Sequence, residues 1–374
     1  MKKFLAVVLA GCMLLGGCGT QDQPQVDENA KNVITGKLSE YVVMKENTAY
    51  VYRGDTTQVA DYTYYVEYTG EGILQRQLVG MNETMAEVLR FDDKTLSLEY
   101  TESHYLRREN LMERESNFYN LWIGAPLKEG AKWSCVEKPM ETESSSVVTA
   151  VDVPVTVPYG EFTAIEITKT YADEAVDLVV KEYYAKGVGL VKTTSISNGQ
   201  EISSELAEMH ENVAQTTQVP LFYMENGERV FDVWELAYKT NDDPFVLYNK
   251  TFPKHFAEKF GIAEEILHIE GIELEYAETS TPVMNIIFNG GLMMQTIPTE
   301  ATKCMVDTLG YLFGEQYVRF ISNDAILLIK DVGQSEDGVM EVTPIEASEG
   351  EFVDASISAD AGATIEADPE TTEE

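Results

Sequence analysis

The feature that most constrains the fold is a long succession of short alternating segments, each ended by turn residues. Ala49-Tyr-Val-Tyr-Arg53 stops at Gly54-Asp55, and Tyr62 to Tyr68 stops at Gly70-Glu71-Gly72. Ile73–Val79, Met85–Phe91 and Thr95–Tyr100 follow, the last two separated by Asp92-Asp93-Lys94. Val147–Val157, Thr163–Tyr171 and Val179–Tyr184 continue the series. Val188–Ser197 and Glu201–Met209 flank Asn198-Gly199, a dipeptide suited to a two-residue hairpin turn because both positions tolerate positive φ. Alternation of period two with turns at this spacing predicts an antiparallel meander of about ten strands, one curved sheet or open barrel. Residues 104–123 break the pattern and read as a long connection or a short helix.

The chain opens with two lysines, an apolar run from Phe4, and Leu15-Gly16-Gly17-Cys18. A basic start, an apolar stretch and small residues before a cleavage point are the parts of an export signal. The apolar run is shorter than the roughly 20 residues that a spanning helix needs. The last four residues resemble the lipobox of bacterial lipoproteins. That resemblance implies lipidation of Cys18, whose thiol takes a diacylglycerol and whose freed amine becomes the new N-terminus. Leu9-Ala10-Gly11-Cys12 is a second tetrapeptide of this kind. Cys18 is preferred, because cleavage before Cys12 would leave a very short apolar core. Residues 1–18 thus read as signal peptide and 19–35, polar and turn-rich, as a tether.

The formal charge of −37 excludes nucleic acid as a partner, since its phosphates would be repelled. No basic residue follows Lys330, and 14 acidic residues lie between Asp331 and Glu374. Such a stretch cannot bury a core, so 334–374 reads as a disordered acidic tail. Beyond the signal region only Cys135 and Cys304 remain, in different predicted domains, which favours two buried free thiols over a disulfide.

From about residue 212 the pattern changes. Asn212–Gln218 reads as a linker and Val219–Tyr223 as a strand before a turn at 225–228. Asp242-Asp243-Pro244 reads as a helix cap, with a helix through Tyr248, and Phe252-Pro-Lys-His-Phe256 as a surface turn. Val283–Phe288 and Leu292–Gln295 flank Asn289-Gly290 as a second hairpin. A helix after Pro298 places Ala301, Cys304, Thr308, Leu309 and Leu312 on one face, and Gly314 ends it before the strand Tyr317–Ile321. The fold class is therefore mostly β plus α+β: an antiparallel β-domain over 36–211, then a small sheet with helices on one face over 219–330.

Candidate chemistry is sparse. There is no glycine-rich phosphate loop and no nucleophile elbow. The histidines at 104, 210, 255 and 268 have no metal-ligand spacing to each other or to a cysteine. Cys304 has no base or cation one helical turn away, which favours packing over catalysis. Asn241-Asp242-Asp243 lacks the spaced ligands of a calcium loop. The expectation is no enzyme, no cofactor and no metal. Tyr62, Tyr64, Tyr65, Tyr68, Tyr183 and Tyr184 read either as a ligand groove inside the curved sheet or as filled interior and edge aromatics.

Two stretches resemble known families. Ala125-Pro-Leu-Lys-Glu-Gly-Ala-Lys-Trp133, Val155-Thr-Val-Pro-Tyr-Gly-Glu-Phe162 and Tyr183-Tyr-Ala-Lys-Gly-Val-Gly-Leu-Val-Lys192 are similar to a β-domain of lipoproteins from Gram-positive, often spore-forming bacteria. That resemblance implies an open barrel like the LolA/LolB carriers. In it Gly187-Val-Gly189 would let two strands approach closely. Leu221-Phe-Tyr223, Met284–Phe288, Cys304-Met-Val-Asp-Thr-Leu309 and Tyr317–Asp324 resemble the GerMN domain of sporulation and germination lipoproteins. That resemblance implies a non-catalytic domain that binds a partner or builds a homo-oligomer. Together they imply a lipid-anchored extracytoplasmic protein that binds or scaffolds in the cell envelope. The alternative is a carrier of a lipid or other apolar ligand in the β-domain.

Overall fold

The computed structural model describes residues 37–81, 83–172, 177–276, 282–292 and 297–345. Twelve strands form one antiparallel sheet: β1 (Thr48–Gly54), β2 (Tyr62–Gly70), β3 (Ile73–Gly80), β4 (Thr84–Phe91), β5 (Thr95–Ser103), β6 (Asn120–Gly124), β7 (Lys132–Glu137), β8 (Thr142–Val157), β9 (Gly160–Tyr171), β10 (Val179–Ala185), β11 (Gly189–Ser197) and β12 (Gln200–Glu211). Each strand pairs with its neighbour in sequence, and β1 pairs with β12. The exception is β6 and β7, the two ends of the sheet. They meet at one backbone bridge, where Tyr119 and Lys138 exchange N–H···O bonds of 3.3 and 3.0 Å. The domain is therefore a nearly closed meander barrel, closed further than the predicted open cup.

The ten predicted strands are present, and β6 and β7 are the additions. β6 begins at the end of the stretch that broke the pattern. Residues 104–118 are a connection without a helix. They lie over the outer face of β3 and β4, where Tyr105 and Leu111 are buried with Ala86 and Val88. Gln75 fixes this connection by accepting from Leu111 N at 2.7 Å and donating to Glu109 O at 2.8 Å. The hairpin at Asn198-Gly199 forms as predicted, with φ of 50° and 72°.

The second unit begins sooner than the sequence suggests. Residues 215–218, read as linker, already belong to β13 (Gln215–Glu225), which pairs with β14 (Glu228–Tyr238). Helix α1 (Pro244–Phe260) follows, then β15 (Ile269–Glu275), β16 (Val283–Phe288), α2 (Thr299–Phe313), β17 (Tyr317–Ser322), β18 (Ala325–Ile326) and β19 (Met340–Glu341). Of the predicted hairpin at Asn289-Gly290, the second arm from residue 293 on lies outside the described residues; β16 is flanked by β15 (antiparallel) and β17 (parallel). Asp243 caps α1 as predicted, accepting from Phe245 N at 2.9 Å. The helix does not stop at Tyr248. It runs through Pro253, because burial of Tyr248, Phe252 and Phe256 at 0% exposure offsets the proline's lost hydrogen bond.

α2 packs between β13 and β17, and Thr308 Oγ1 accepts from Phe222 N at 3.0 Å. The predicted face of Ala301, Cys304, Thr308, Leu309 and Leu312 is buried. One apolar cluster unites both helices, the hairpin and the small sheet. Of the acidic stretch 334–374, residues 334–345 are described. Met340 and Val342 are buried in that cluster, and Thr343 N donates to Asp307 Oδ1 at 2.7 Å.

The two units are joined through the barrel's outer wall. Asn47 and Thr240 exchange hydrogen bonds of 2.7 and 2.9 Å, and Asn241 N donates to Glu67 O at 2.8 Å. Arg108 is buried at the centre. Its guanidinium donates to Gln215 Oε1, Glu67 O and Lys239 O at 2.9, 2.8 and 2.7 Å. It also lies against the rings of Tyr68 and Tyr238.

Candidate functional site

The barrel interior holds buried charged groups, each with a partner. On β3, Leu74, Arg76 and Leu78 share one face by strand alternation, and Arg76 stands directly opposite Glu87 of β4. Its Nε donates to Glu87 Oε2 at 2.7 Å, and both side chains are almost fully buried. The guanidinium lies 3.6 Å from the centroid of the Tyr64 ring and 5.1 Å from that of Trp122. Tyr52, Tyr62 and Tyr64 pack together, with Tyr52 stacked on Tyr62 at 4.6 Å and Tyr62 edge-on to Tyr64 at 5.0 Å. Burial raises the hydroxyl pKa of all three. They stay neutral and serve as hydrogen-bonding, cation-facing surfaces.

A second polar group lies across the interior. Tyr184 donates to Glu182 Oε2 at 3.1 Å, and burial raises the Glu182 carboxyl, opposed by Lys169. Lys169 of β9 reaches both ends of the sheet, donating to Asn120 Oδ1 of β6 at 2.6 Å and Glu137 Oε1 of β7 at 2.9 Å. Beside it, Leu121 N donates to Cys135 Sγ at 3.3 Å. The indole Nε1 of Trp133 and the Oγ of Ser144 are buried without a partner.

The six tyrosines read as a groove are divided by the pleat. Tyr62, Tyr64 and Tyr184 face inward. Tyr183 alternates to the other face, and Tyr65 pairs opposite Gln77, whose side chain contacts the outer connection. Tyr68 would face inward with Tyr64 and Val66, but a bulge between Val66 and Tyr68 turns it outward onto Arg108.

Between these polar groups the interior is aliphatic. Leu74, Leu89, Leu96 and Leu98 from one side meet Ile165, Ile167 and Tyr184 from the other in one cluster. Leu89, Ile123 and Val148 have 0% exposure, so no solvent-sized space adjoins them. The residues that follow the predicted tether enter this cluster. Leu38, Tyr41 and Val42 are buried in it, and Met44 packs against it. Gly187 N donates to Glu40 O at 2.7 Å and Lys186 pairs with Glu40 at 3.1 Å. Gly189, at φ +96°, lies so close to this segment that a Cβ would stand 3.0 Å from Val43 O. The close approach at Gly187-Val-Gly189 is therefore to residues 40–43, which stopper the barrel. The expectation of two approaching strands is corrected.

Cys18 and Cys12 lie outside the described residues. Cys135 and Cys304 are free and buried, and burial pushes the Cys304 thiol up to about 12. His255, read as part of a surface turn, is buried on α1 with a ring nitrogen 3.3 Å from Phe222 O, and burial lowers its pKa. Asn241-Asp242-Asp243 acts in capping and in the contact between units. Sequence reasoning missed Arg76, Glu87, Lys169 and Glu137. A charged residue at an inward position of an alternating strand was the available signal.

No family model and no curated protein matches this sequence. Two solved structures resemble part of the chain. One is a protein from Bacteroides fragilis described as exported and YmcC-like in fold. It is 14% identical, with a TM-score of 0.29, over 46% of this chain and 99% of that one. The other is a protein from Parabacteroides distasonis described as a lipoprotein. It is 15% identical, with a TM-score of 0.28, over 46% of this chain and 98% of that one. Likenesses this distant carry no argument about what this chain does.

Proposed function

We propose that the protein is a lipid-anchored extracytoplasmic lipoprotein that works by binding or scaffolding in the cell envelope, without catalysis. The observation that carries this reading is Leu15-Gly16-Gly17-Cys18 behind a basic and apolar start, followed by a polar stretch that leads into a barrel. The lipid on Cys18 holds the chain to the membrane, and residues 19–35 set the barrel at a distance from it. The GerMN likeness extends this proposal to a partner-binding or oligomer-forming role of the second unit in sporulation or germination. Its supporting observation is that Val306, Thr308 and Leu309 fall on α2 and Asn323-Asp324 forms the turn after β17. Cys18→Ser is expected to release the protein into the medium and abolish labelling by a radioactive fatty acid. Continued labelling of that variant moves the anchor to Cys12, and labelling of neither cysteine contradicts the reading.

A second reading, a carrier of an apolar ligand, is favoured by the aliphatic interior and by residues 38–44 stoppering it. In the closed form that interior is packed, so loading requires movement. Uptake of an apolar fluorophore such as N-phenylnaphthylamine by the purified protein tests it. A protein that gives no fluorescence enhancement is no carrier of this kind.

A further inference from the structure

We propose that the line between β6 and β7 is a lateral gate to the barrel interior, latched from inside by Lys169. As an entrance for ligand, the gate rests on the carrier reading. As a moving element it stands on its own geometry.

Every other pair of neighbouring strands around the ring is joined by a ladder. Between β6 and β7 the ladder is a single bridge, Tyr119 to Lys138. Beyond it, side chains take the place of backbone bonds. A thiol, a weak acceptor, receives the amide of Leu121. The Trp133 ring covers Gly124, where a Cβ would stand 3.1 Å from the indole. The Lys169 ammonium bonds one residue of each edge, Asn120 and Glu137. Side-chain contacts of this kind can break without dismantling a sheet, whereas opening any other line would cost a whole ladder. Behind the line stand Leu121, Ile123 and Trp133 facing Val148, Ile165 and Ile167, an aliphatic wall suited to an alkyl chain. Residues 38–44 pack into the interior, and opening the side wall is a route that keeps this segment in place.

Cys135 is a native reporter, because its thiol sits in the line and the residue is 7% exposed. Its alkylation rate in the folded protein, resolved by mass spectrometry from that of Cys304, reads the opening. Lys169→Met is expected to raise the Cys135 rate about tenfold while Cys304 stays unchanged. Asn120→Ala, which removes one arm of the latch, gives a smaller rise in the same direction. An unchanged Cys135 rate in both variants overturns the gate, as does a rise shared equally with Cys304, which would mean general loosening. For the entrance, Leu121→Cys oxidised onto Cys135 is expected to block N-phenylnaphthylamine uptake, with recovery on reduction. Uptake that persists through the closed disulfide overturns the entrance and leaves the carrier reading standing. No uptake by the unmodified protein overturns the carrier reading, while the alkylation rates still judge the gate.

Discussion

The two units of this protein hold themselves together differently. The α+β unit has a single apolar cluster in which Phe252, Phe256, Phe288, Phe313 and Phe320 are buried at 1% exposure or less. The barrel interior is divided into two clusters, with the Arg76–Glu87 pair, three tyrosines and the Lys169–Glu137 pair set among them. Dispersion and burial dominate the first, whose buried charges, Asp307 paired with Arg229 and Arg319 paired with Glu275, lie beside the apolar cluster. The second depends on every buried charge keeping its partner, because an uncompensated charge in a low-dielectric interior costs far more than a paired one returns. The barrel is also where the ladder fails, between β6 and β7. Polar interior and incomplete closure occur in the same unit, and the proposed gate rests on both.

This contrast can be broken by substitution. Phe252→Ala should cost the α+β unit about 3–5 kcal/mol in urea unfolding, because removing a large, fully buried ring leaves a cavity in its apolar cluster. Arg76→Met should cost the barrel a similar ~3–5 kcal/mol by stranding Glu87, and adding Glu87→Leu should recover most of it. A double variant as unstable as Arg76→Met would show that the pair contributes through packing alone.

The third test lies at the contact between units. Glu67 is buried beside Arg108, and burial lifts its carboxyl to about 7. Its pKa is higher folded than unfolded, so the folded state binds the extra proton between roughly the ordinary carboxylate value and 7. Its contribution to stability therefore falls as pH rises through that window and is fully lost above it. Glu67→Gln should gain on the unaltered protein by ~1–3 kcal/mol between pH 5 and pH 8. A constant difference across that range would place the titration elsewhere. Smallest of all, Asp243→Ala should remove the α1 cap for about 1 kcal/mol without touching the barrel.

Much of this fold could be read from the sequence, and the failures have physical causes. Ten strands, the Asn198-Gly199 turn, the Asp243 cap and the buried face of α2 follow from alternation, turn chemistry and helical period, all local signals. β6 escaped because five residues ending at Gly124 carry too short a pattern. α1 was cut at Tyr248 because Phe252-Pro-Lys-His-Phe256 looks like a turn, and only tertiary burial of its aromatics carries the helix through Pro253. The pairing of β16 with β15 and β17 is long-range and has no local signal in the sequence. Of the interior, the tyrosines were visible, but the bulge that turns Tyr68 outward was not. The partnering of Arg76 with Glu87, and of Lys169 with both ends of the sheet, depends on register that no local signal specifies.

The β6–β7 line, with one backbone bridge where every other line has a ladder, is the proposed weak seam of the barrel. Native-state hydrogen exchange of the full chain tests it most directly. The Leu121 amide, which donates to a thiol across the seam, should exchange at least about tenfold faster than the most protected amides of the β1–β12 ladder, with α2 as slow as the latter. A Leu121 amide as protected as that ladder would contradict the account.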